Sequence, residues 1–390
     1  MTLFTSRETL AAPILILLAV SVVGLANAQE AEKALPSIAD KTAGMTQLAG
    51  FVPIYWDDDR ARVYLEIANL DEDLLYLTSL PAGLGSNDIG LDRGLLGGER
   101  IVRFERVGRR IFIAQPNLRY RADSESPSER RAVEDAFASS IMWGFDIIAA
   151  TGSSYLVAAT DFAVRDAMQV VNRLKGSGQG NFSLDKGRSA PWLAGTKAFP
   201  DNTELEARVT FSGSNPGGYV RSVAADAQAV TLRIRQSFIR LPDEGYTPRA
   251  FDPRSGYNAT SFVDYARPIG EEMSVRYVSR HRLKKKNPDQ AVSDVVEPIV
   301  YYLDPGTPEP VRSALLDGAR WWAAAFEAAG FRNAYRVEML PEGADPLDVR
   351  YNVIQWVHRS TRGWSYGSSV VDPRTGEIIK GHVSLGSLRV

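Results

Sequence analysis

The chain has no cysteine and only three histidines in 390 residues. Without thiols there can be no disulfides, no thiolate metal sites and no cysteine nucleophile. The histidines, His281, His358 and His382, are 77 and 24 residues apart, a spacing that matches no short zinc motif. Excess charge is lacking too. Lys and Arg number 45 against 47 Asp and Glu, for a net charge of -2, so the bulk balance points to no polyanionic partner and nucleic acid is not expected. Long apolar runs are confined to residues 10–24, about 15 residues against the roughly 20 needed to span a bilayer, with Pro13 among them.

What remains is an ordinary globular composition, 44% apolar and 24% charged, with length for two domains or a third. Residues 1–28 read as an export signal: Arg7 and the α-amino group, the apolar run, then Ala26-Asn27-Ala28 in the small-x-small form of a cleavage site. The expected location is periplasmic or secreted, with no stable membrane insertion once the signal is removed.

Residues 29–50 form a polar, Ala-rich lead-in, and residues 51–285 a β-rich domain. Short β-like runs at 51–56, 62–67 and 74–80 are split by acidic turns, and 100–106 with 110–114 alternate apolar and basic residues around Val107-Gly108-Arg109, as a hairpin does. Helices are expected at 128–139 and 162–174, and further strands at 141–149, 155–159, 204–212 and 230–241. The loop beginning Gly83-Leu84-Gly85-Ser86-Asn87-Asp88 lacks the third Gly of a dinucleotide fingerprint and reads as a mobile surface loop. The basic run 280–286 reads as a solvated linker, with phosphate or anionic-lipid binding the other reading, and it closes on Pro288 at a domain boundary near 290. One turn recipe occurs twice, as Asp252-Pro253-Arg254-Ser255-Gly256 and Asp372-Pro373-Arg374-Thr375-Gly376.

Residues 290–390 follow a strand, helix, strands pattern, so the whole is an α+β chain. Residues 298–303 suit a buried strand. Thr307 can cap the next helix, with Pro308 at its first position, and Val311, Leu315, Ala319, Trp322, Phe326 and Ala329 repeat at steps of three or four up to Gly330. Strands follow at 334–339 and 349–357, and a hairpin of 368–371 with 377–385 surrounds the second Asp-Pro-Arg turn.

Several stretches resemble one known family: Pro298-Ile-Val-Tyr-Tyr-Leu-Asp-Pro305, Gly318-Ala-Arg-Trp-Trp322, Asp348-Val-Arg-Tyr-Asn-Val-Ile-Gln-Trp-Val-His-Arg359, Gly363-Trp-Ser-Tyr-Gly367 and Asp372-Pro-Arg-Thr-Gly-Glu-Ile-Ile-Lys-Gly381. The family is that of exported bacterial zinc-dependent metalloproteases with a metzincin-like, EcxA-type catalytic domain preceded by a β-rich domain of unknown function. The resemblance implies that 290–390 is the upper part of such a protease domain and that the full-length enzyme hydrolyses protein or peptide with zinc-activated water. It also implies a substrate strand at Tyr366, Gly367, Ser368, Ser369 and Val370. The family's His-Glu-x-x-His-x-x-Gly-x-x-His motif is absent, so no catalytic or metal-binding residue can be assigned. The chain is therefore expected to be an N-terminal fragment that binds no zinc and is inactive as it stands. An exported, non-catalytic binding or structural module is the alternative.

Overall fold

The computed structural model describes residues 34–389, and the expected export signal lies outside them. A twelve-stranded antiparallel sheet fills the N-terminal two thirds. Its path runs from Thr46–Leu48 through Ile54–Asp57, Arg62–Ile67, Ser154–Ala158, Ser140–Thr151, Arg110–Gln115 and Arg100–Val107. It continues through β1 (Leu74–Ala82), then across β3 (Ala229–Ile239) to β2 (Asn202–Ser214) and Asn181–Pro191, and the short Lys197–Ala198 pairs with β2 off this path as the twelfth strand. The hairpin expected around Gly108 is present, with that glycine at φ +58 in the turn. The lead-in is more ordered than its composition suggests: Ile38–Lys41 is a helical turn capped by Ser37, Ile38 is buried, and Thr46–Leu48 pairs with the next strand.

Alternation decides what each face of this sheet meets. Along β3, Leu232, Ile234 and Phe238 point to one side, where Phe238 joins Tyr76, Phe104 and Phe162 in an aromatic core. The residues between them, Arg233, Arg235 and Ser237, point the other way, beside Glu204 and Glu206 of β2. Such a strand reads as half solvated. Yet Glu204, Glu206, Arg235 and Ser237 are all buried, because a second sheet lies over them.

That second sheet is built from β4 (Ile299–Leu303), β5 (Tyr335–Met339), β6 (Asn352–Val357), β7 (Tyr366–Val371) and β8 (Ile378–Gly386), in the order β5-β4-β6-β8-β7. All its pairings are parallel except β7 with β8. Residues 36–389 pack as one compact unit, and one apolar cluster draws Leu75, Leu77, Ile101 and Ile239 from the large sheet together with Val349 and Val370. The basic run does not float as a linker. Arg282 reaches Glu377 and Asp243, while Lys285 donates to the carbonyls of Gln290 and Ala291.

On its other face the second sheet carries α1 (Val311–Arg320) and α2 (Trp322–Ala328), one periodic stretch broken at Trp321. The cap differs from the sequence expectation. Thr307 Oγ1 donates back to Asp304 O, closing a turn, and the Glu309 carboxylate accepts from Ser313 N and Oγ instead. Gly330 ends the helix at φ +84, as expected. Leu315, Leu316 and Ala319 touch Leu303, Val337 and Ile354. No residue of either helix is buried, however, and Trp321 and Trp322 are 81% and 65% exposed. Beside them an apolar groove of about 500 Å³ runs between Trp322, Phe326, Tyr301, Val383 and Leu385.

A helix held on one side only should open first. Limited trypsin digestion is expected to cut within residues 311–332 before it cuts any strand of the large sheet. Equal resistance of the two regions would show the helix to be held as firmly as the core.

Candidate functional site

The five residues expected to hold substrate do lie together, on β7, the edge strand of the second sheet. Its inner side pairs Tyr366 with Ser384, Ser368 with His382 and Val370 with Lys380. Backbone direction can be read at the end of the hairpin. Asp372 N donates inward to Glu377 O, whereas Val371 N points outward to Glu99 Oε1 at 3.4 Å. Alternation then sends the N–H groups of Gly367 and Ser369 outward and those of Ser368 and Val370 into the ladder. Gly367 is exposed, with nothing within 4 Å of where a Cβ would sit. The small residues thus leave a free backbone edge.

The start of this strand is anchored by the loop after β1, which is packed where the sequence suggested mobility. Leu84, Ser86, Asn87 and Asp92 are buried. Asp92 pairs with Arg359 (Oδ2 to Nε 2.9 Å and to Nη2 2.7 Å), both side chains being almost fully enclosed, and accepts from Tyr366 OH at 3.3 Å. Ser360 N donates to Gly85 O, and Thr361 Oγ1 to Asp88 Oδ2. A Cβ on Gly363 would meet Asn87, so these segments touch backbone to side chain.

The seam between the sheets is the second feature, and alternation alone did not disclose it. Arg235 donates to Glu206 Oε2 through Nε (3.1 Å) and Nη2 (2.5 Å) and lies 3.7 Å from Glu204. Glu204 is also held by Asn202 Nδ2 and Ser237 Oγ, while its burial pushes its carboxyl above the ordinary range. From the opposite sheet Lys380 donates to the carbonyls of Pro346 and Asp348 at 2.6 and 2.9 Å. Burial lowers its amine to about 8. Asn202 ties the seam further, giving Nδ2 to Leu347 O and taking Val349 N on Oδ1.

The three histidines are not brought together. His382 faces the seam and His281 the groove on the other side of the same sheet, while exposed His358 meets Ser387 Oγ at 2.9 Å. His358 and His382 do not meet, since His382 sits within β8 opposite Val353. Among the described residues no group of three His, Cys, Asp or Glu could hold a metal ion. The residues described therefore do not fit a zinc centre. Both Asp-Pro-Arg turns close alike: Arg254 and Arg374 fold back on Asp252 and Asp372, with Gly256 and Gly376 at φ +67 and +82. A shared turn chemistry accounts for them.

Residues 94–286 match the family model of a domain of unknown function, DUF5117. Comparison with curated proteins and with solved structures returns no match. No helix among the described residues is long and apolar enough to cross a membrane.

Burial, and then the nearby Lys380 and Arg235, lowers His382 to about 4, and burial does the same to His281. A lowered histidine binds its proton more weakly in the folded state, so stability is lost as pH falls from about 6.5 toward 4. Glu204 acts in the opposite direction, so the contribution of His382 is isolated by His382→Gln. Between pH 6.5 and 5 this substitution should remove about 1–2 kcal/mol of the pH-dependent loss measured by urea unfolding. An unchanged pH slope would place the linkage elsewhere. The scattered histidines also predict zinc content well below one per purified chain and no chelator-sensitive casein cleavage. Stoichiometric tight zinc would contradict that.

Proposed function

We propose that residues 290–390 belong to a zinc-dependent metalloendopeptidase of the metzincin-like class and that this chain supplies its substrate strand. The observation that carries the reading is β7: one antiparallel strand at the edge of an otherwise parallel sheet, with small residues and outward N–H groups. An extended peptide can add to such an edge through backbone hydrogen bonds whatever its own side chains are. The apolar groove beneath α1 and α2 gives secondary support, because a helical subdomain below the sheet would cover it. The reading assigns peptide capture to this chain and hydrolysis to zinc ligands that its residues do not provide. Export to the periplasm or beyond is part of the same proposal and rests on residues 1–28. An exported binding module without chemistry is the second reading, favoured by the cavity between the two sheets.

The test is fluorescence anisotropy with labelled, unstructured peptides. Ser369→Pro removes an outward donor and leaves the inner ladder intact, so it should weaken peptide binding about tenfold, the worth of one well-made hydrogen bond. Ser369→Thr keeps the N–H and should bind as the parent does. Equal binding by the proline variant, with folding unchanged, removes β7 from the site.

A further inference from the structure

The ladder that β7 offers a peptide stops at Ser369, because Glu99 Oε1 already accepts from the next outward donor, Val371 N. Whatever follows on a captured chain would be unpaired there, beside an open cleft of about 340 Å³. Glu99 and Pro373, the second residue past the end of β7, both line this cleft, so it begins where the edge strand ends. Apart from Pro373 its lining lies within residues 94–286, the DUF5117 match.

The charges of the cleft are unequal. Arg100, Arg119 and Arg121 stand against Glu99 alone among the lining side chains. None of these three guanidinium groups is paired with a carboxylate among the described residues, whereas Arg103 and Arg374 close by are matched by Asp73 and Asp372. Half-buried Arg121 lies over the Phe262 ring, 4.0 Å from its centroid. It gives Nε to Leu118 O, Nη1 to Arg374 O and Nη2 to Pro373 O, at 2.7, 3.1 and 2.8 Å, which leaves two of its five N–H groups free. Asp372 and Asp123 act on it from beyond bonding distance, and burial outweighs them, pulling its pKa down. A guanidinium that has lost part of its hydration and is answered only by carbonyls remains short of a countercharge. Exposed Arg100 and Arg119 add to the same field, and Ser140 and Ser261 add neutral donors. Glu99 opposes the field as one carboxylate against three cations, with Oε1 taken by Val371 N and its carboxyl raised above the ordinary range by burial.

We propose that this cleft selects acidic peptides, those carrying Asp or Glu next to the stretch that pairs with β7. The inference rests on peptide capture at β7 and adds the substrate class, with the DUF5117 domain supplying the selection. The anions of a captured peptide are carboxylates, and the planar fork of arginine matches them in geometry as well as charge. Fluorescence anisotropy on the purified chain tests it with three labelled peptides of equal length: one uncharged, one with two glutamates at each end and one with two lysines at each end. At low salt the glutamate peptide should bind about tenfold more tightly than the uncharged one and the lysine peptide more weakly than either, and added salt should narrow these differences. Arg100→Gln with Arg119→Gln, both at exposed positions, should bring the glutamate peptide down to the affinity of the uncharged one and leave the latter unchanged. Ser369→Pro should weaken both. Equal binding of the glutamate and uncharged peptides by the parent overturns the acidic selection and leaves β7 in place. Binding of neither removes β7, and the inference with it. A glutamate preference untouched by the arginine substitutions, or glutamate binding untouched by Ser369→Pro, puts the acidic site elsewhere and overturns the inference.

Discussion

Two sheets meeting through charged faces impose one demand on this chain: every charge brought into the seam has to be answered there. The Glu206–Arg235–Glu204 cluster does this within the large sheet, and Lys380 does it from the other side through backbone carbonyls. Breaking a buried pair by removing one partner typically costs about 3–5 kcal/mol, because the survivor keeps its desolvation penalty without its countercharge. The apolar cluster around Leu77, Ile239, Val349 and Val370 adds the nonpolar part of the same contact. The seam holds the C-terminal sheet against the large one, and with it the position of β7.

The second sheet shows opposite characters on its two sides. Toward the large sheet it presents buried Lys380, His382 and Ser384 with half-buried Gln355. Toward α1 and α2 it presents Tyr301, Ile354, Val383 and Leu385, apolar and only partly covered. Strand alternation produces both from a single segment, since neighbouring residues of β8 fall on opposite faces. The edge strand lies where these two environments end, with its anchor at Asp92–Arg359 and its free N–H groups turned away from both.

Much of this was legible from local pattern. The hairpins at Gly108 and at Asp372–Gly376 and the Gly330 stop depend on neighbouring residues alone, and they stand where the residues indicate. What escaped the sequence was whatever depends on a distant partner. Glu204, Glu206, Arg233 and Arg235 alternate with apolar residues as a solvated face does, and only the sheet formed by residues 290–390 turns that face into an interior. The Gly83–Asp88 loop reads as mobile because the residues that hold it lie at 360–364, far along the chain. The expected helix at 162–174 becomes two short ones, Thr160–Ala163 and Val170–Gly176, with Gln169 in the left-handed region between them.

Strand β1 has a consequence for how this architecture can be inherited. It precedes the DUF5117 match, yet it pairs with Arg100–Val107 on one side and with β3 on the other, in the interior of the large sheet. A segment cut at residue 94 would lose Arg62–Ile67 as well and would carry three raw sheet edges, on Arg100–Val107, β3 and Ser154–Ala158. Residues 94–286 are therefore not a cassette that recombination could move between unrelated proteins. The unit of exchange has to include the strands ahead of them, and the charged face of β2 and β3 binds it to a covering sheet as well.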